Sequence, residues 1–417
     1  MRRSPMTPQR HDMAKVCSVR NYSLETEPTE LVSPWLEPLI GQVIEFRRDL
    51  HAHPELSFQE HRTTSAIYDR LTAAGLSPRR LDGTGVVVDV GEGPITTALR
   101  GDIDALPIIE ETGLPFASRN HGVTHGCGHD FHTAAMLGIA LVLARMHADK
   151  PLGGTIRIIF QPAEETLPGG ALACIDQGVL DGVPRIMALH CDPRIEVGRI
   201  GTRIGPITSA SDTIKIELTG RGGHSSRPHL TEDLVFALAQ IAINVPAVLS
   251  RRVDVRSGVS MVWGQISAGS APNAIPGHGI MSGTMRCLDR EAWHSAGELL
   301  DAVVQQVAAP YGVDVHLEHT RGVPPVVNSE HETALIEAAA RAELGEDSVV
   351  LAPQSMGGED FAWFLQGVPG SLMRLGTHAP GGEEYDLHRG DYIVDERALS
   401  VGIRVLCAAA LRTLRSA

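Results

Sequence analysis

The sequence predicts an α/β fold in two parts: a mainly parallel sheet with helices on both faces, interrupted by a smaller sheet with helices on one face. Three observations predict it. Apolar, β-branched segments bounded by glycine alternate with helical segments through the first 200 or so residues, the order of a parallel sheet. From about residue 205 to 320 the strands instead carry one apolar and one polar face, in the order β-α-β-β-α-β. The first pattern then resumes, and 417 residues are in any case too many for one ordinary core.

Residues 1–33 read as a polar extension, expected to be poorly ordered. Leu36, Leu39, Ile40, Val43, Ile44 and Leu50 recur at helical spacing, which predicts the first helix. Ser57 and Glu60 have the spacing of a capping box, so a second helix is expected from there to Gly75. Strands follow over 86–90, 95–100, 155–160 and 185–190, with a helix over 131–146 between the second and third. Within the insertion, 212–219 alternates with Ile214, Ile216 and Leu218 on one face. A helix over 232–249, strands over 259–266 and 280–287, a helix over 291–308 and a strand over 313–318 complete a split, ferredoxin-like unit. The boundaries expected are 34–204 and 321–417 for a discontinuous main domain, and 205–320 for the inserted one.

Composition excludes several functions. A net charge of -14, from 36 Lys+Arg against 50 Asp+Glu, lacks the basic face a nucleic-acid binder needs, and 4% aromatic residues do not build a base-stacking platform. Six scattered cysteines without a CxxC pair fit a reducing compartment, so the cytoplasm is the expected location. The best apolar run, 134–146, contains Arg145 and is shorter than the ~20 residues a membrane span requires. The early Arg pair is not followed by the apolar region of a secretory signal.

Chemistry gathers where open α/β sheets bind ligands, beyond the carboxyl ends of the strands. One strand runs into Asp102 and Asp104, another into Glu164 and Glu165, and a third is expected to stop at His190. A fourth cluster, His125-Gly126-Cys127-Gly128-His129-Asp130, enters a helix. Thiolate, imidazole and carboxylate together suit zinc, manganese or a similar divalent ion. Five or more ligands exceed one tetrahedral site, and two ions ~3.5–4 Å apart activate a water and polarise a carbonyl together. Of Glu164 and Glu165, one carboxylate is available to a metal and the other to proton transfer; spacing does not say which. Asp102, Asp104 and Asp130 are expected behind the ligands, orienting them, with Glu359 and Asp360 in similar work. His51 and His53 read as structural, and His132, one turn beyond His129, as a weaker competitor for a metal.

These residues also carry a resemblance. His51-Ala52-His53-Pro54-Glu55-Leu56, Asp102-Ile103-Asp104-Ala105-Leu106-Pro107, Cys127-Gly128-His129-Asp130 and Gln161-Pro162-Ala163-Glu164-Glu165 are followed by Gly222-Gly223-His224, Asn273-Ala274-Ile275-Pro276, Gly358-Glu359-Asp360-Phe361 and Leu387-His388. In this order, from about residue 37 to 412, the set resembles the M20 metallopeptidase family, in its amidohydrolase branch of N-acyl-amino-acid, hippurate and indoleacetyl-amino-acid hydrolases.

The resemblance implies a metal-binding catalytic domain holding two divalent ions per subunit, manganese or zinc, on Cys127, His129, Glu165, His190 and His388. It implies Glu164 as the catalytic base, and an inserted domain that serves as lid and dimerises, with His224 and Asn273 reaching the substrate. The expected reaction is hydrolysis of N-acyl amino acids, small molecules, with no membrane or nucleic acid involved. Alternatives are a dipeptidase or aminoacyl-peptide hydrolase of the same family, a cysteine-nucleophile hydrolase, or a non-catalytic ligand-binding relative. The chain departs from the family's usual Leu-His-Ser-Pro-x-Phe at Leu387-His388-Arg389-Gly390-Asp391-Tyr392, although His388 is kept.

Overall fold

β-branched and glycine-bounded segments pair here into a mixed sheet rather than a wholly parallel one. In the computed structural model, which describes residues 31–414, its strands are β1 (Arg79–Arg80), β2 (Val86–Gly91), β3 (Ile95–Asp102), β4 (Thr155–Gln161), β5 (Ile186–Glu196), β6 (Ile200–Thr202), β11 (Val349–Leu351) and β12 (Gly370–His378), four further strands of the chain lying in a second sheet. The spatial order is β1-β2-β4-β3-β5-β12-β6-β11. The centre, β4-β3-β5-β12, is parallel, as expected, whereas β2 against β4 and β6 against β12 are antiparallel. Short connections, three residues between β2 and β3 and three between β5 and β6, leave no length for a crossover helix and so reverse the chain.

Both faces are covered. Met187, Leu189, Met373 and Leu375 pack into the core shared with helices α3 (His129–Asp149) and α8 (Arg397–Thr413), while Ile186, Ala188 and Leu372 face α7 (Phe361–Gly367). Helices α1 (Ile40–Ala52), α2 (His61–Ala73) and α6 (Glu330–Leu344) complete the layers around this sheet.

The second sheet contains β7 (Ala210–Thr219), β8 (Ser260–Ala268), β9 (His278–Cys287) and β10 (Asp314–Val323), wholly antiparallel in the order β8-β9-β7-β10. Helices α4 (Leu234–Arg252) and α5 (Arg290–Ala308) share its apolar core with Ile214, Ile216 and Leu218, the alternation expected of β7. The β-α-β-β-α-β order is as read from sequence.

Several expectations fail locally. Residues 1–30 of the expected extension lie outside the described residues, but its end is built into the fold: Val32 is buried and donates its N–H to Glu343 Oε1 at 2.8 Å. The capping box does not form. Ser57 donates to Asp104 instead (2.7 Å), Glu60 accepts from Thr84 and Ala163, and the Glu55 carboxylate caps α2 through the N–H groups of Arg62 and Thr63. Tertiary partners outcompeted the local pair. Strand β5 does not stop at His190 but runs on to Glu196, held by β12. Two helices, α3 and α4, are also long and apolar enough to cross a membrane by length and composition, contrary to the expectation. In α3 that apolarity serves the core, since most of the helix is buried; α4 is buried on one face only.

Candidate metal centre

Three neighbouring strands and one helix entry deliver the acidic, thiol and imidazole groups. Gly128, at φ +83°, turns the chain into α3, so that Cys127 and His129 lie on either side of the turn. Beyond β4, Ala163 sits at φ +55°, a left-handed conformation uncommon for a residue with a Cβ, just before Glu164 and Glu165. His388, itself at φ +61°, is fixed by its N–H to Gly126 O at 2.8 Å. Two of the expected functional segments therefore hold a strained backbone, which marks sites that the surrounding structure over-determines.

Potential ligand atoms of Cys127, His129 and His190 lie within 4.8 Å of one another, and so do those of Cys127, Glu165 and His388. Cys127 belongs to both triads. His129 uses Nδ1 on Asp104 Oδ1 (3.1 Å), leaving Nε2 buried without a hydrogen-bond partner, 3.7 Å from Glu165 Oε1, itself an orphan. His190 donates Nδ1–H to Cys191 O (2.7 Å) and turns Nε2 towards Cys127 Sγ at 3.5 Å. His388 Nε2 stands 3.4 Å from Glu165 Oε1. Buried orphan acceptors are rare because they cost the desolvation of the atom, and a divalent ion is the partner this mixed S, N and O donor set suits.

Glu164 lies beside this cluster, in one group with His129 and Glu165 and in another with Glu359 and Asp360. Burial, and then the charges of Glu359 and Glu165, hold its carboxyl well above the usual range. Burial likewise pushes the Cys127 thiol well up, Glu165 adding to it. Burial opposes the Asp104 carboxylate, but the hydrogen bond and charge of His129, with the Glu165 N–H and Ser57 hydroxyl, bring it below its ordinary value.

Of the three aspartates expected behind the ligands, Asp104 alone hydrogen-bonds an expected ligand. Asp102 accepts from His132 Nδ1 at 2.6 Å and stays 3.9 Å from His129. Asp130 turns away, to Arg47 Nε (2.7 Å) and His51 Nδ1 (2.8 Å), because the first turn of α3 points it towards α1. His132 also accepts from the Cys191 N–H at Nε2 (2.9 Å), so both its nitrogens are engaged, although it forms a third group of potential ligand atoms with Asp102 and His129. His224 and Asn273 are exposed on a short ribbon, Gly223–His224 paired with Ala274–Ile275, and neither bonds to the cluster among the described residues. The Ser226 N–H donates to His224 Nδ1 (3.1 Å), which in the neutral ring places the proton on Nε2.

The sequence reading missed Arg100, which is fully buried. It donates to Gln161 (2.7 Å), Asp102 (2.5 Å) and Asp360 (2.6 Å) and lies 3.0 Å from Glu359. A signal was available: an arginine inside the apolar run of β3 needs buried partners.

The pattern of Peptidase family M20/M25/M40 matches residues 98–412. The chain belongs to this family. It is 39% identical over 387 residues to the N-acetyl-L-cysteine deacetylase of Bacillus subtilis (strain 168), covering 91% of this chain and 90% of that protein. It is 47% identical over 385 residues to a putative glutamate–cysteine ligase 2-3 of Rhodococcus jostii (strain RHA1), but spans only 47% of that protein's length. Among solved structures, a Bacillus subtilis protein described as a dinuclear metal-binding peptidase of the M20 family superposes with a TM-score of 0.78 at 35% identity, over 91% of this M20 chain and 99% of the other.

Proposed function

We propose that this M20 chain is a metal-dependent amidohydrolase that cleaves N-acyl amino acids into a carboxylic acid and an amino acid. The observation that carries the reading is the pair of triads sharing Cys127, with orphan atoms on His129 and Glu165 and the Glu164 carboxylate alongside. The similarity to an N-acetyl-L-cysteine deacetylase supports the substrate class. Cys127, His129 and His190 would hold one ion, and Cys127, Glu165 and His388 the other, manganese or zinc. Bound there, divalent ions supply the Lewis acidity that activates a water and polarises the scissile carbonyl. Glu164 takes the water's proton and delivers it to the leaving nitrogen. Asp104 keeps His129 in the tautomer whose Nε2 is free. The test is turnover of an N-acyl-amino-acid and dipeptide panel by protein stripped of metal and then given Mn or Zn. Hydrolysis of acyl-amino acids only after reloading is expected; full activity in protein shown to be metal-free overturns the mechanism.

The second sheet is proposed as a lid that dimerises, with the His224 Nε2–H donating to the developing oxyanion in the partner subunit. Support comes from the outward apolar residues Val235, Phe236 and Ile243 of α4 and from β8, an edge strand with Val262 and Ile266 exposed. Mixing Glu164→Gln with His224→Ala under subunit exchange is expected to restore one working site per heterodimer, because the His224→Ala chain keeps its own base and receives the other histidine. Verified heterodimers without recovered activity refute the shared site.

A further inference from the structure

Arg374 lies in β12, in direct register with His190 of β5. The two strands are parallel, and their alternation puts both side chains on the face opposite Met373, Leu375 and Leu189. On its other side Arg374 pairs with Gly201 of β6, where a Cβ would stand 3.3 Å from the Arg374 Cβ; the glycine leaves room for the arginine stem. Arg374 is only 6% exposed, its Nε has no partner, and its guanidinium makes no hydrogen bond or ion pair among the described residues. Burial pulls its pKa down; the charges of Asp192, Glu359 and Cys127 act the other way, and that of Arg194 adds to the fall.

Those neighbours do not complete it. Asp192 is held by Arg194 through two side-chain contacts (2.9 and 2.7 Å) and a backbone one (3.0 Å). Glu359 faces Arg100 at 3.0 Å and accepts from the Phe361 N–H at 2.9 Å. Cys127 belongs to both metal triads. The guanidinium, buried at Nε, is thus left without a protein partner in register with His190, an expected metal ligand, where each bound dication would raise its cost further. An anion is the missing partner, and the planar fork suits a carboxylate.

We propose that Arg374 binds a carboxylate of the substrate and so makes a negatively charged N-acyl compound the preferred one. This rests on the amidohydrolase reading for the place of the site. The carboxylate is either the α-carboxylate of the amino-acid half or one at the far end of the acyl half. Arg374 is a specificity residue; no step of bond cleavage passes through it.

Binding is measured by calorimetry on metal-loaded Glu164→Gln protein, alone and combined with Arg374→Met or Arg374→Lys. The probes are N-acetyl-L-methionine against its carboxamide, and N-succinyl-benzylamine against N-butyryl-benzylamine. With Arg374 present, the acid of one pair is expected to bind about 10- to 100-fold more tightly than its neutral counterpart, the worth of a charge-assisted pair. Arg374→Met should bring that ratio close to one at unchanged metal content, and the pair that responds tells which carboxylate is held. If Arg374→Met does not fold, Arg374→Lys decides: it keeps the charge but loses the fork, so a reduced ratio supports the proposal and an unchanged ratio overturns it. Equal weakening of acid and neutral probes also overturns it. Because binding is read without turnover, a chain that hydrolyses none of the panel would refute the amidohydrolase reading while leaving this test intact.

Discussion

Glu164→Gln is expected to keep its metal and lose turnover by roughly 10²–10⁴, the usual contribution of a general base. The amide has the shape of the carboxylate but cannot accept the water's proton. Its place supports this division: Glu164 sits between the His129–Glu165 group and the Glu359–Asp360 pair, outside both triads that share Cys127. Glu165→Gln is expected to do the opposite and release metal, since Glu165 Oε1 lies 3.7 Å from His129 Nε2 and 3.4 Å from His388 Nε2. Metal content by elemental analysis, measured beside kcat for both variants, checks the pair. A Glu164→Gln protein that loses its metal, with a Glu165→Gln protein that retains it, reverses the two roles.

Arg100→Met is expected to destabilise the fold by ~3–5 kcal/mol, a large part of the ~5–15 kcal/mol that holds a domain together. Arg100 is the cation common to Asp102, Glu359 and Asp360, all of them buried. Without it the three carboxylates lose their shared guanidinium in low dielectric, and Asp102 keeps only an imidazole partner, His132. Burial already pushes Asp360 up to about 7 with Arg100 in place, so little of its charge is tolerated. Arg100→Lys keeps the charge but loses the fork that reaches Gln161 and two acids together, and should fall between wild type and Arg100→Met. Equilibrium denaturation measures both; a loss below ~1 kcal/mol for Arg100→Met would show that the acids are neutralised some other way.

The same buried cluster explains why parts of this site were illegible in the sequence. A capping box at Ser57 and Glu60 is a sound local inference, yet Ser57 bonds to Asp104 and Glu60 to Ala163, the residue before the proposed base. Local spacing does not register a better partner more than 40 residues away. For Asp130 the expectation failed because helical phase, not proximity in sequence to His129, decides which way a side chain in the first turn of α3 points.

The sequence by itself determined the elements whose information is periodic or ordered along the chain. The alternation of β7 specified its buried face, the β-α-β-β-α-β order specified the second sheet, and the ordered motifs specified the family. Only tertiary structure decided which orphan atoms face each other, that Cys127 is common to two triads, and that Arg100 is paired while Arg374 is not. The reason is physical. Periodicity is a property of one segment and its solvent, whereas the partner of a buried charge is set by strands and helices brought together from distant parts of the chain.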